Sequence, residues 1–107
     1  MSRGSRRCEP VPLEVRETAD LLERRWQLSI ICAALTGALR FNEFAEAVAG
    51  ISPRMLSERL RDLEGAGLVA RKVIPSSPPT VEYRLTDRGR RLAPIIEAMR
   101  EYARETS

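Results

Sequence analysis

Residues 50–74, GISPRMLSERLRDLEGAGLVARKVI, restrict the fold more than any other stretch, because a helix start, a helix stop and a strand follow one another directly. Ser52 supplies an N-cap hydroxyl, and Pro53 suits the first helical position, where a missing N–H costs nothing. Leu56, Leu60 and Leu63 recur at i, i+4 and i+7 and make an apolar stripe. Arg54, Ser57, Glu58 and Arg61 share the opposite face. Two guanidinium forks, a hydroxyl and a carboxylate are the groups that pair with base edges and phosphates in a major groove. Gly67 falls where a left-handed residue ends a helix, and LVARKVI then continues as a strand. A polar helix face also serves plain solubility, so the flanking elements decide between the two.

The flanks favour nucleic acid. Arg40-Phe41 reads as a short extended link, after which Asn42 caps a helix from Glu43 to about Val48 with Phe44, Ala45 and Val48 inward. A brief turn, Ala49 to Ile51, joins it to the 52–64 helix. Two short helices across a tight turn, the second with a polar face, form a helix-turn-helix. A hairpin follows, Val69–Ile74 pairing with Val81–Leu85 across PSSPPT, whose three prolines stiffen an exposed tip. Its position directly after the helix-turn-helix makes it a wing. Arg71, Lys72, Ser76, Ser77 and Thr80 are the wing's polar candidates.

The remaining elements bracket this unit. Residues 1–12 lack periodicity and are read as a mobile basic arm, leaving 13–107 as the folded domain. Leu13 to about Arg24 is helical, with Val15, Ala19, Leu22 and then Trp26 on one side. From Trp26 to Leu35 a second helix carries Leu28, Ile31, Cys32 and Leu35 on one face, widened by Ile30 and Ala33, which marks it as the core helix. Thr86 caps a last helix from Asp87 to about Ala103, with Leu92, Ile95, Ile96, Met99 and Tyr102 in one stripe. Nothing after it covers that stripe, and each large side chain buried is worth about 1.5–3 kcal/mol. A symmetric dimer joined by this stripe and by part of the first helix, Leu13 and Leu22 included, is expected; the alternative is that the last helix folds back on its own domain. The fold class is therefore mainly α with a small β-hairpin, a winged helix-turn-helix with dimerisation helices at both ends.

Composition excludes several other functions. At 107 residues and 43% hydrophobic content the chain is one domain with a modest core. Its net charge of +3 is unevenly spread: residues 49–91 hold nine basic against five acidic side chains, while 13–48 hold four against six. Positive charge gathered on the helix–hairpin unit and the arm is the footprint of a nucleic-acid binder, although an Arg-rich surface alone would look similar. No apolar run is long enough to span a membrane, and the N-terminus leads into no signal core, so the expected compartment is the cytoplasm. Cys8 and Cys32 form no CxxC and there is no histidine, so no metal site of the usual zinc kind is expected and His-based catalysis is excluded. No cofactor is expected.

RRW followed by an apolar helix (24–35), LRFNEFAEAVAGISPRMLSERLRDLEGAGLVAR (39–71), the wing with PP followed by VEYRLTDRGR (78–90), and the C-terminal apolar helix together resemble the HxlR-type winged-helix transcriptional regulators, relatives of the MarR regulators. The resemblance covers about residues 13–103. It implies a homodimer on a near-palindromic operator in double-stranded DNA, with helix 52–64 in the major groove and the wing along the minor groove. It also implies repression or activation controlled by a small-molecule effector or by oxidation. Many members carry a Cys-Pro pair just before the first helix, and in some that thiol is the redox sensor. Here that slot falls near Pro12, and Cys8 lies four residues upstream. Arg6 and Arg7 would favour the Cys8 thiolate, which makes Cys8 the redox candidate against an incidental arm cysteine; Cys32 on the core helix reads as packing.

The expected chemistry then follows residue by residue. Arg54 and Arg61 would contact guanine or phosphate; Ser57 and Glu58 would read base edges. Asn42 and Ser52 cap helix starts, where backbone N–H groups face phosphates, and Arg40 in the link before Asn42 is a further DNA-binding candidate. The two recognition helices should lie about 34–36 Å apart, one DNA turn. An effector pocket is expected near the dimer seam around Trp26. A winged helix used only as a protein-docking module is the rival; an enzyme would need Cys8 or carboxylates such as Glu14 and Glu17 in a cleft, and no fitting spacing suggests one.

Overall fold

The computed structural model describes residues 8–106, so Arg3, Arg6 and Arg7 of the expected arm lie outside the described residues. The elements are α1 (Leu13–Leu22), α2 (Gln27–Leu35), α3 (Phe41–Ala47), α4 (Pro53–Gly65), β1 (Val69–Ile74), β2 (Thr80–Leu85), α5 (Asp87–Arg90) and α6 (Ala93–Thr106). The chain is mostly helical, with the two strands forming one antiparallel hairpin. No helix among the described residues is long and apolar enough to cross a membrane.

The core forms where α2, α3 and α4 meet the base of the hairpin. Ile30 and Ile31 of α2, Phe44 of α3, Leu56, Leu60 and Leu63 of α4, and Leu68 at the strand entry are essentially fully buried. The apolar stripe of α4 therefore points inward along its whole length, and Arg54, Ser57 and Arg61 on the other side are exposed. Tyr83 N–H donates to the Leu39 carbonyl (2.7 Å), tying β2 to the segment before α3.

Local chemistry sets both ends of α4. Ser52 Oγ accepts from Met55 N–H (3.1 Å). At the far end Gly67 has φ +77, and the two bonds Leu68 N–H to Leu63 O and Gly67 N–H to Glu64 O, both 3.0 Å, close the helix in a Schellman arrangement. Thr86 then holds this terminus from α5: its hydroxyl donates to Gly67 O (2.7 Å) and accepts from Gly89 N–H (3.0 Å). Arg88 adds a hydrogen bond to the Ala66 carbonyl.

Four expectations need correction. The helix-turn-helix begins earlier than expected: Arg40 is the N-cap of α3, and Asn42 lies exposed inside its first turn. Glu43 explains this, because its Oε1 reaches back to accept from Leu39 N–H (2.8 Å) and Arg40 N–H (3.0 Å). The last helix is two helices, with Arg91 and Leu92 in a turn between them. Pro94 is the cause: it has no N–H to continue the α5 ladder, and its ring is accommodated only in the first turn of a new helix. Leu92, expected in a dimer stripe, is 8% exposed and belongs to the chain's own core, and the new helix also buries Ile96. On α2 the buried face is Ile30, Ile31 and Ala33, whereas Leu28 and Cys32 are only half-buried.

The Glu43 cap carries a pH signature. The Leu39 N–H, then the Arg40 N–H and the Arg40 charge, hold its carboxyl below the ordinary glutamate range. A lowered folded value means stability that is present above the unfolded value and lost as pH falls through the folded one. The melting temperatures of the wild type and Glu43→Gln should therefore differ near neutral pH and converge in acid. A gap that stays constant into acid would show that the carboxylate charge does not act at this helix start.

Candidate nucleic-acid interface

One face of α4 gathers three of the charged candidates, Arg54, Glu58 and Arg61. Arg54, Ser57 and Arg61 project from α4 on the side opposite its buried leucines, at the spacing of a single helix face. Glu58 is half-exposed and leans towards Arg59, whose Nη2 lies 3.7 Å from its Oε1. Arg59 itself is turned inward, with a side chain 12% exposed, and it pairs with Asp62. The face thus presents two unpaired forks and a hydroxyl, with the carboxylate partly engaged. Ser52 and Pro53 are exposed at the start of α4; Pro53 has no N–H and Ser52 takes those of Met55 and Leu56, so the positive end of a 13-residue helix presents the Arg54 N–H beside that residue's own guanidinium. Arg40 and Asn42 are exposed at the start of α3.

The wing supplies the second part. Arg71 and Lys72 are exposed on β1, opposite Tyr83 and Glu82 respectively. Glu82 is drawn to Arg84 on its own strand (2.6 Å). At the tip the Ser76 hydroxyl donates to the Pro78 carbonyl (2.7 Å), which makes it a loop-closing group, while Ser77 is exposed and Thr80 half-buried. No residue from Val73 to Val81 is charged, so the wing's cations sit at its middle and its tip offers only hydroxyls and prolines.

A third surface is apolar. No residue of α1 is buried; Leu13 and Val15 are 59% and 51% exposed, as are Val11 (54%), Met99 (48%) and Tyr102 (69%). Between α2 and α6 lies an open groove of about 350 Å³ lined by Leu28, Cys32, Ile96, Met99 and Ala103, with Arg100 at its rim. Of the seven expected dimer residues, Leu13, Met99 and Tyr102 are free to meet a partner. Leu22 and Ile95 pack partly against the chain's own core, and Leu92 and Ile96 are buried. Trp26, near which an effector pocket is expected, turns the edge of its ring towards Gly50, with the Arg25 guanidinium 4.6 Å from the ring centroid. Cys8 is exposed and Cys32 half-buried, both as free thiols.

Sequence reasoning missed the residues that anchor α4: Arg24, Arg88 and Gly89 from outside it, and Arg59 and Asp62 within it. Arg24 and Asp62 are 38 positions apart and carry no shared pattern. Gly89, within TDRGR, did carry a signal, since a glycine in a helical turn implies a close neighbour.

Comparison with known proteins agrees with this geometry. The family model of the HxlR-like helix-turn-helix matches residues 21–107. The HTH-type transcriptional regulator YvaP of Bacillus subtilis is 44% identical over 89 residues, covering 83% of this chain and 82% of YvaP. Among solved structures, the reduced form of the transcriptional regulator YodB from B. subtilis aligns with a TM-score of 0.78 at 34% identity, covering 91% of this chain and 95% of that one. The redox regulator HypR in its oxidised form aligns with a TM-score of 0.80 at 38% identity, covering 88% and 97%.

Proposed function

The chain belongs to the HxlR-like helix-turn-helix family of transcriptional regulators, which are not enzymes, and from that premise we propose that it acts in the cytoplasm as a homodimer on a near-palindromic operator in double-stranded DNA. The observation that carries this is the division of α4: three buried leucines on one face, and exposed Arg54, Ser57 and Arg61 on the other. In a major groove, Arg54 and Arg61 reach guanine or phosphate, Ser57 and Glu58 reach base edges, and the Arg54 N–H at the positive end of α4 meets a phosphate. Arg71 and Lys72 then lie along the backbone beside the minor groove.

Dimerisation is supported by what a single copy leaves uncovered. A compact chain of this length has a radius of gyration of about 13 Å, whereas this one has 17.1 Å and extents of 67 × 31 × 25 Å. Its length comes with an α1 that has no fully buried residue and an α6 whose outer half is exposed. A second copy laid on Leu13, Val15, Met99, Tyr102 and the α2–α6 groove would remove that apolar surface from water. The controlling signal is a small molecule or oxidation, and Cys8 is the thiol we assign to oxidation: it is exposed, and HypR is described as a redox regulator.

Substitution of α4 tests the DNA reading. Each of Arg54→Ala and Arg61→Ala should weaken binding to the preferred duplex by about 1–3 kcal/mol if it reads a base, with relaxed preference at that position. A residue that contacts phosphate should weaken all duplexes alike and lower the salt slope by about one. Unchanged affinity and unchanged sequence preference in both variants would favour the docking module.

A further inference from the structure

The corner between α1 and α2 touches both ends of the recognition helix. Trp26 has φ +78, the one positive φ outside glycine among the described residues, and it turns the chain sharply between the two helices. Its ring packs on Gly50, two residues before the Ser52 cap of α4; a Cβ at Gly50 would lie 3.7 Å from the indole edge. One residue from the Arg25 that stacks on that ring, Arg24 reaches to the other end of α4, where its Nη1 meets Asp62 Oδ2 at 3.1 Å. Arg59, largely buried, holds the same carboxylate from within α4. Gln27, 3% exposed, ties the end of α1 into the corner through its Nε2 and the Leu21 carbonyl (3.3 Å).

Elsewhere α1 stands away from the domain. It buries no side chain, and an open cleft of about 500 Å³ separates Glu17 and Asp20 of α1 from Arg88 of α5. Its tilt is therefore governed by the corner. We infer that Arg24 and Asp62 are positioning residues: their ion pair fixes the angle between α1 and α4, and so sets the spacing between half-sites that the dimer accepts. This rests on the proposed dimer on DNA, in which α1 belongs to the seam and α4 to the groove. A change of tilt at α1 then appears doubled, by symmetry, in the separation of the two α4 helices.

The test uses the full chain and a duplex it enriches from a random-sequence pool, rebuilt with the spacer shortened or lengthened by one or two base pairs. The wild type should show a sharp optimum. Arg24→Gln and Asp62→Asn should each flatten the penalty for wrong spacers by about three- to fivefold, the scale of a solvent-touched ion pair. Arg24→Gln should leave the dimer, the melting temperature and binding to an isolated half-site near wild type, and Arg24→Lys should restore most of the optimum; Asp62→Asn also strips Arg59 of its carboxylate and lowers the melting temperature, so its spacer preference is read at a temperature where both variants are folded. The two variants change net charge in opposite directions, so a purely electrostatic effect on DNA would move them apart, whereas a lost strut moves them together. A sharp wild-type optimum that survives unchanged in both variants overturns the inference alone. A wild type indifferent to spacing overturns the operator reading, and the inference with it.

Discussion

Gly89→Ala should cost about 3 kcal/mol or more, at or beyond the upper end of overpacking penalties. A Cβ at this buried position would sit 2.2 Å from the Leu68 carbonyl oxygen, 3.1 Å from its carbon and 2.9 Å from Leu85 Cδ2. Two of those neighbours are backbone, so no side chain can swing aside to admit a methyl group. The Leu68 carbonyl accepts from Thr86 N–H (3.0 Å), and the Leu68 N–H closes the end of α4 on Leu63 O. Pushing it away breaks the β1–α5 junction and loosens the recognition helix together. Against a native stability of about 5–15 kcal/mol for a typical domain, urea unfolding should show a large loss of midpoint. A midpoint equal to wild type would mean that α5 does not lie against Leu68 in solution.

Phe44→Ala should be comparably damaging, at about 3–5 kcal/mol. The ring is fully buried, and it meets Tyr83 edge to face, with centroids 6.4 Å apart and planes at 85°. Tyr83 also bonds its backbone to Leu39, so Phe44 lies where α3, the wing and the segment before α3 converge. Removing it opens a cavity at the joint that sets the wing against α4. Phe44→Leu, which keeps most of the volume, should lose much less. A Phe44→Ala protein within about 1 kcal/mol of wild type would contradict a core centred on α3.

What could be read in advance follows the range of the interaction. The cap at Ser52, the stop at Gly67, the leucine stripe and the start of β1 are signalled within a few residues, and each stands where its spacing put it. The break at Pro94 is equally local, but the unbroken apolar periodicity from Leu92 to Tyr102 masks it. The start of α3 turned on Glu43 reaching backwards, a competition between two plausible caps that spacing alone does not decide. Which half of α2 faces the core and which faces the groove depends on where α6 lies, and that follows from the Pro94 break. Trp26 in the left-handed region has no sequence signal, because a tryptophan carries none of the local preference for that region that glycine or asparagine does. The Arg24–Asp62 pair joins segments that only the completed fold brings together. For the interface, the α4 face was legible because one helix carries it; the apolar seam was only partly so, since Leu92 and Ile96 serve the chain's own core.

Protection of the DNA upstream of the chain's own gene, measured across a salt series, tests the central claim most directly. The account predicts two protected half-sites about one helical turn apart, bound by a dimer, with affinity falling steeply as salt rises and competitor DNA of random sequence displacing it poorly. Binding that is equally weak on every sequence, or a single protected site filled by one copy, would contradict it.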